Sequence, residues 1–314
     1  MLYYFAPLEG ITDSVYRQIH HKYFPGIDRY YTPFFSPTVH RTLTPKERRE
    51  LQPAASLSYT LIPQVLTRNA EDFLWMARQC ADSGYCEINL NLGCPSGTVT
   101  AKGKGAGMLR DIAALDCFLD EIFSLSPISI SVKTRIGYAS SDEFPALLDI
   151  FNRYPIRELT IHPRTRTAFY NGNVDWNAFQ YAVENSKNAL CFNGNLCSSS
   201  QIATFHERFP SVGAVMLGRG LIADPGMLTP DGTQVQSLIA FHNELLATYT
   251  DIFGSSRNAM FRMKENLHYL ICRFDGGDKL YKQLRKTTDI NEYKSLIHTL
   301  FTTVPLAKEL HPNW

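Results

Sequence analysis

A small set of hydrogen-bonding and reactive residues stands where runs of β-forming residues give way to turns. Gln64 lies in TLIPQVL, Asn91 closes CEINLN, Lys133 lies in ISISVKTR and His162 closes RELTIH. Cys94 follows in Gly93-Cys94-Pro95, where proline forces the chain to turn because it cannot continue a strand ladder. Together these amide, thiol, ammonium and imidazole groups exceed what packing needs at strand ends. A lysine so placed can set positive charge beside an electron-rich ring or a phosphate. The thiol can act as nucleophile, as acid or as inert filler, and the residues alone leave all three open.

Two further turns have a more particular reading. Asn193-Gly194-Asn195 and Gly218-Arg219-Gly220 follow the last two strand candidates. Glycine lets the backbone approach an anion, amide N–H groups point at it and Arg219 adds charge, so both turns are expected to hold phosphate. The segment SGTVTAKGKGAGML after Gly93-Cys94-Pro95 fails the P-loop pattern and the GxGxxG pattern. Its glycines read as a mobile lid or as backbone that closely approaches a ligand. The nine histidines form no HExxH or other ligand pair, and no metal is expected.

The elements that must position these residues follow from the hydrophobic pattern. Strand candidates run from Leu2 to Pro7 and from Arg29 to Thr32, and others begin at Thr60, Cys86, Ile128, Arg157, Ala189 and Gly213. Nearly all lead into helical patterns, with Thr12 or Asp13, Asn69 and Asp111 as candidate caps. Strands alternating with helices indicate a parallel sheet, and eight units in about 220 residues fit an α/β fold, the (β/α)8 TIM barrel. An open doubly wound sheet would carry GxGxxG after its first strand, where this chain reads APLEG. The strand pattern stops near Met227 and the rest is helical. The expected organisation is a catalytic barrel over residues 1–235 and a small helical domain over 236–314.

Composition removes several classes. Of the 314 residues 44% are hydrophobic, enough for a packed core, and 19% are charged without long blocks. The formal net charge of +1 gives no bulk support for nucleic-acid binding and does not exclude a local basic patch. Seven cysteines without a CxxC pair argue against a disulfide framework and a zinc ribbon. The start MLYYFAPLEG lacks a leader pattern and no run reaches the roughly 18 apolar residues of a membrane span, so a cytoplasmic protein without a membrane is expected.

Taken together, these segments resemble the tRNA-dihydrouridine synthase family. The resemblance is carried by APLEGITD at residues 6–13, PQ at 63–64 and NLGCPSGTVTAKGKGAGML at 91–109. It continues through VKTRIG at 132–137, HPRTR at 162–166, NGN at 193–195 and MLGRG at 216–220. The tail with RMKENLHYLI at 262–271 looks more loosely like the family's C-terminal RNA-binding domain. The chain departs from the pattern at APLEG, where many members read APMAG, at Gly107, where some carry a second cysteine, and at Pro163 after His162.

The resemblance implies an enzyme that reduces the C5=C6 bond of uridines in tRNA, with FMN as cofactor and NADPH as reductant. It implies hydride transfer to C6 and Cys94 as the acid that protonates C5. Ala6, Pro7, Gln64, Lys133 and His162 would contact the flavin, while Asn193, Gly194, Asn195, Gly218 and Arg219 would hold its phosphate. Asn91, Arg164 and Arg166 would contact the uracil or its backbone. Arg262 and Lys264 would contact tRNA from the tail, with Arg257, Arg273, Lys279, Lys282, Arg285 and Lys286 as further candidates. A monomer is expected. The competing readings are an FMN-dependent barrel reductase of a small pyrimidine or enone, and a non-enzymatic tRNA-binding protein with an idle flavin site.

Overall fold

The computed structural model describes residues 1–310 and 312. Its strands are β1 (Leu2–Phe5), β2 (Arg29–Tyr31), β3 (Leu61–Ile62), β4 (Gln64–Val65), β5 (Glu87–Leu92), β6 (Ser129–Arg135), β7 (Leu159–His162), β8 (Leu190–Asn193) and β9 (Ala214–Leu217). They form one sheet in the order β3-β2-β1-β9-β8-β7-β6-β5-β4. The third expected strand is split in two, and the cause is Pro63, which has no N–H to donate. β3 pairs with β2 through Tyr30 and Tyr31, whereas β4 pairs with β5 through Gln64 and Val65. The Pro63 carbonyl still accepts from Asn89 N at 2.8 Å, and Phe35 bridges to Val65. The two halves of this strand thus lie at the two ends of the sheet order and bring it round to a nearly closed (β/α)8 barrel.

Between the strands lie α1 (Ser14–Tyr23), α2 (Pro45–Glu50), α3 (Ala70–Asp82), α4 (Gly97–Thr100), α5 (Ile112–Leu125), α6 (Phe144–Phe151), α7 (Trp176–Asn185) and α8 (Ser199–Arg208), and α9 (Arg219–Ala223) follows β9. The expected caps hold. Asp13 accepts from Tyr16 N at 3.0 Å, Asn69 from Asp72 N at 2.8 Å and Asp111 from Ala114 N at 3.0 Å. Alternation along β5 explains the barrel's layering. Ile88, Leu90 and Leu92 are fully buried, and α3 and α5 add Phe73 and Phe118, whose rings meet edge to face at 6.3 Å. Glu87, Asn89 and Asn91 occupy the opposite face of the same strand, so the face that carries the chemistry is polar.

The tail contains α10 (Val235–Phe253), α11 (Ser256–Leu270), α12 (Asp278–Lys286) and α13 (Ile290–Thr303). A short antiparallel bridge, Phe274 to Leu306, interrupts its otherwise helical pattern. Compactness groups the chain into two units. The first holds Met1–Pro7, Asp28–Gly194 and His206–Met216, and the second holds Leu8–Ile27, Asn195–Phe205 and Leu217–Trp314. In the second, Phe241 of α10 meets Tyr16 and Phe24 at 5.5 and 5.2 Å. Tyr249 donates to Asp13 at 2.8 Å, and His242 shares a 2.9 Å hydrogen bond with Tyr293. Burial pushes His20 down to about 3 and His242 down to about 4, so both imidazoles are neutral packing groups at physiological pH.

Candidate active site

Parallel register sets the polar residues side by side. Gln64 is registered with Asn89, and Asn89 with Ser131; one layer further along, Asn91 is registered with Lys133, and a layer beyond that Arg135 is registered with His162. The first layer is joined to Cys94 by a chain of buried hydrogen bonds. Gly93 N and Cys94 N both donate to Asn91 Oδ1, at 3.0 and 2.9 Å. Asn91 Nδ2 donates to Gln64 Oε1 at 2.8 Å, Gln64 Nε2 to Asn89 Oδ1 at 2.8 Å, and Asn89 Nδ2 to Ser131 Oγ at 2.9 Å. Peptide N–H groups can only donate, so the turn at Cys94 fixes which end of every amide faces which neighbour. A buried network with its members satisfied is rigid, and this one holds the cysteine turn against the sheet.

Arg135 holds the same turn from the other side. It is 1% exposed, and its Nε donates to Gly93 O at 2.8 Å. Its Nη1 reaches Thr165 O at 2.8 Å and Phe169 O at 2.6 Å in the loop after β7. Burial pushes this guanidinium down to about 10. Lys133 is pushed down to about 8, first by burial and then by the positive charge of Arg135. Among the described residues Lys133 Nζ has no ion pair. His162 is buried, and Arg164 Nη1 lies 2.9 Å from its Nε2 while Arg164 Nη2 donates to Gly172 O at 2.5 Å. Arg166 donates to Thr100 Oγ1 at 3.2 Å.

The glycine-rich segment after Cys94 folds back on it. Ala106 N donates to Cys94 O at 3.1 Å. Gly105 has φ +58, and a Cβ there would lie 3.0 Å from both Cys94 Cβ and Cys94 O. At Gly107 a Cβ would lie 2.9 Å from Thr100 O, so this backbone leaves no room for a second cysteine at that position. The close approach seen for these two glycines is to the chain's own backbone at Cys94 and Thr100.

The other expected residues distribute as follows. Ala6 and Pro7 continue directly from β1. Asn193 Nδ2 donates to Met216 O at 2.7 Å, and a Cβ at Gly194 would lie 2.8 Å from Val174 Cγ1. In the second unit, Asn195 adopts φ +38 and its Oδ1 accepts from Arg219 at 3.2 Å, beside Gly218 at the start of α9. Arg262 is paired with Asp13 at 3.4 Å and Glu265 at 2.7 Å, and Lys264 Nζ donates to the carbonyls of Thr287 and Arg285 at the end of α12. Both are engaged within the protein. By contrast Lys279, Lys282, Arg285 and Lys286 of α12 are exposed and have no ion pair among the described residues. Asn89, Ser131 and Arg135 were not singled out from sequence; the alternation of polar residues along β5 and β6 was the available signal.

The fold and this rim define a (β/α)8 enzyme with a cysteine turn backed by amides and flanked by unneutralised cations. The family model for dihydrouridine synthase matches residues 4–305, and the chain belongs to the dihydrouridine synthase family, whose members are flavin-dependent oxidoreductases. It is 23% identical over 321 residues to a probable tRNA-dihydrouridine synthase 1 of Synechocystis, covering 96% of this chain and 87% of that one. A probable tRNA-dihydrouridine synthase of Staphylococcus epidermidis is 25% identical over 327 residues, covering 97% and 95%. Among solved structures, the old yellow enzyme of Trypanosoma cruzi superposes with a TM-score of 0.50 at 9% identity, covering 71% of this chain and 85% of that one, a likeness of fold.

Proposed function

We infer that the protein reduces the C5=C6 bond of uridines in tRNA to 5,6-dihydrouridine, with Cys94 as the proton donor. The observation that carries this reading is the Cys94 turn, held by Asn91 and Arg135 within a family match that spans nearly the whole chain. Saturating this bond needs a hydride at one carbon and a proton at the other. A neutral thiol held on a rigid turn suits the second task, because the proton must arrive at one carbon from one direction. The target base must leave its stack to reach any such group.

The residues fit FMN. Lys133, a cation in a half-buried setting without an anionic partner among the described residues, suits the N1 side of a flavin ring, where negative charge collects on reduction. Bound and reduced, FMN supplies the hydride for C6. Ala6, Pro7, Gln64 and His162 suit the ring and ribityl chain. Asn193, Gly194, Asn195, Gly218 and Arg219 suit the phosphate. Asn91, Arg164 and Arg166 suit the uracil or its backbone. NADPH is the reductant.

Residues 1–235 form the catalytic domain and residues 236–314 the tRNA-binding domain in this reading. Arg262 and Lys264 support the tail's architecture through their internal partners as well as any RNA contact. Lys279, Lys282, Arg285 and Lys286 carry the phosphate contacts, each adding to a salt-dependent affinity. The protein works as a monomer in the cytoplasm; no helix among the described residues is long and apolar enough to cross a membrane.

The test is to reduce the flavin-loaded protein anaerobically and add tRNA lacking dihydrouridine while following the flavin absorbance. Reoxidation by tRNA but not by free uridine is expected. A flavin that stays reduced with tRNA and reoxidises with free uridine or an enone would transfer the activity to a small molecule.

A further inference from the structure

Beside the cysteine turn, in the same unit, lies a cluster of aromatic and guanidinium groups, of which Arg166 alone has been given a part above, toward the uracil or its backbone. Arg166 lies 5.3 Å from the Tyr138 ring centre and 5.1 Å from that of Phe169. Arg110 lies 3.9 Å from the other participant, the Tyr138 ring, and also donates to the Tyr138 hydroxyl. Neither arginine has an ion pair among the described residues. Glu143, a carboxylate bound at Tyr138, accepts from the backbone N–H groups of Tyr138, Ala139 and Ser140.

Phe169 and Tyr170 are partly exposed on a braced loop, Tyr170 with its ring 5.3 Å from Arg135 and 6.0 Å from that of His162, and Tyr138 is half-buried. Phe169 is 38% exposed and Tyr170 is 49% exposed. Phe169 has φ +51, a left-handed conformation that a bulky residue adopts only when its surroundings impose it. Arg135 supplies that imposition through its bond to Phe169 O, and Arg166 N and Thr167 N tie the loop to Gly137 O and Tyr138 O at 2.9 and 3.1 Å. Packing alone gives no reason to leave a large apolar ring 38% exposed on a strained backbone.

We propose that Tyr138, Phe169 and Tyr170, with Arg110 and Arg166, form a stacking platform for an unpaired tRNA nucleotide next to the target uridine. This rests on tRNA being the substrate. Exposed aromatic faces stack on any base, and guanidinium groups without carboxylate partners take the adjoining phosphates. The placement beside the cysteine turn follows from two bonds, Arg166 to Thr100 in α4 and Arg135 to Gly93. A base held here fixes its neighbour in the chain and brings it to Cys94 already out of its stack.

Equilibrium binding of tRNA to the oxidised protein, with KM and kcat for tRNA reduction, tests the platform. Phe169→Ala should weaken binding by about 5- to 100-fold and raise KM more than it lowers kcat. Phe169→Trp should retain or restore binding, whereas Phe169→Leu should behave like the alanine variant. Arg110→Gln with Arg166→Gln should flatten the dependence of log affinity on log salt by about one to two units. Wild-type binding in both Phe169→Ala and Tyr138→Ala, or full binding in Phe169→Leu, would overturn stacking. A wild-type protein that does not bind tRNA at all would overturn the substrate assignment, and the platform with it.

Discussion

The barrel is polar at both ends, but the two ends are balanced differently. At the N-terminal end, Glu87 is 3% exposed and lies 2.7 Å from Arg157 and 3.4 Å from Arg29. Glu158 accepts from Tyr4 at 2.8 Å, and Arg29 lies 5.2 Å from the Tyr4 ring centre. Each buried carboxylate there meets a donor. At the C-terminal end, Lys133 and Arg135 have guanidinium, carbonyl and thiol neighbours, and burial lowers both of their pKa values. The two ends thus differ in kind: at one, buried carboxylates are met by arginines and a tyrosine, and at the other, buried cations have no carboxylate partner among the described residues. Charges paired within the chain support the fold, whereas buried cations without a carboxylate suit an anionic ligand.

Substitutions at the two ends should therefore separate stability from function. The largest effect is expected at Cys94→Ala, where loss of the proton donor should slow tRNA reduction by about 10²- to 10⁴-fold in single-turnover assays. Flavin retention and the denaturant midpoint should stay near wild type, and an unimpaired rate would remove Cys94 from the mechanism. At the opposite end, Glu87→Gln should cost about 2 kcal/mol in denaturant unfolding, because it strips two arginines of their carboxylate while one of them is half exposed. The folded variant should keep its rate. A stable Glu87→Gln protein with altered turnover would erase the distinction between the ends.

Lys133→Met should do the reverse. The lysine's folded pKa of about 8 lies below its ordinary value of 10.5. The unfolded chain therefore binds more protons between these two values. The burden on folding is full below pH 8 and is relieved as pH rises toward 10.5. Flavin-free Lys133→Met protein should be more stable than wild type at pH 7, by on the order of 1–2 kcal/mol after allowance for solvent screening, and the gain should shrink above pH 8. The same variant should hold flavin less well, measured by dialysis. A loss of stability at pH 7 would show that the lysine is satisfied without a ligand. The smallest effect is expected at Ser131→Ala, which removes the last acceptor of the amide chain and should cost about 1 kcal/mol.

What sequence could and could not disclose follows from the range of the interactions. The caps Asp13, Asn69 and Asp111 were legible because a cap acts on residues two or three positions ahead. The strands and their alternation with helices were legible for the same local reason. The split of the third strand at Pro63 was not, because it depends on which neighbour each half meets. Gln64, Asn91 and Lys133 were found as strand-end residues, yet the bonds linking Gln64 through Asn89 to Ser131 exist only once register is set. Arg135 stood at a strand end in VKTRIG without a role, because its acceptors are carbonyls of two loops distant in sequence. Arg262 and Lys264 looked in sequence like surface cations, and folding supplies them with partners from Asp13 and the end of α12.

The amide chain from Cys94 to Ser131 also behaves as a one-way signal. Two peptide N–H groups at its head admit only one orientation of Asn91, and that choice dictates the next amide, and the next, across three strands. No amide in the series can turn over alone without setting donor against donor or oxygen against oxygen. The set therefore has one collective state in place of several independent ones. An aspartate placed at position 89 or 91 would lack the hydrogens that pass the instruction on, so a change of a single atom at one end would be felt at the other.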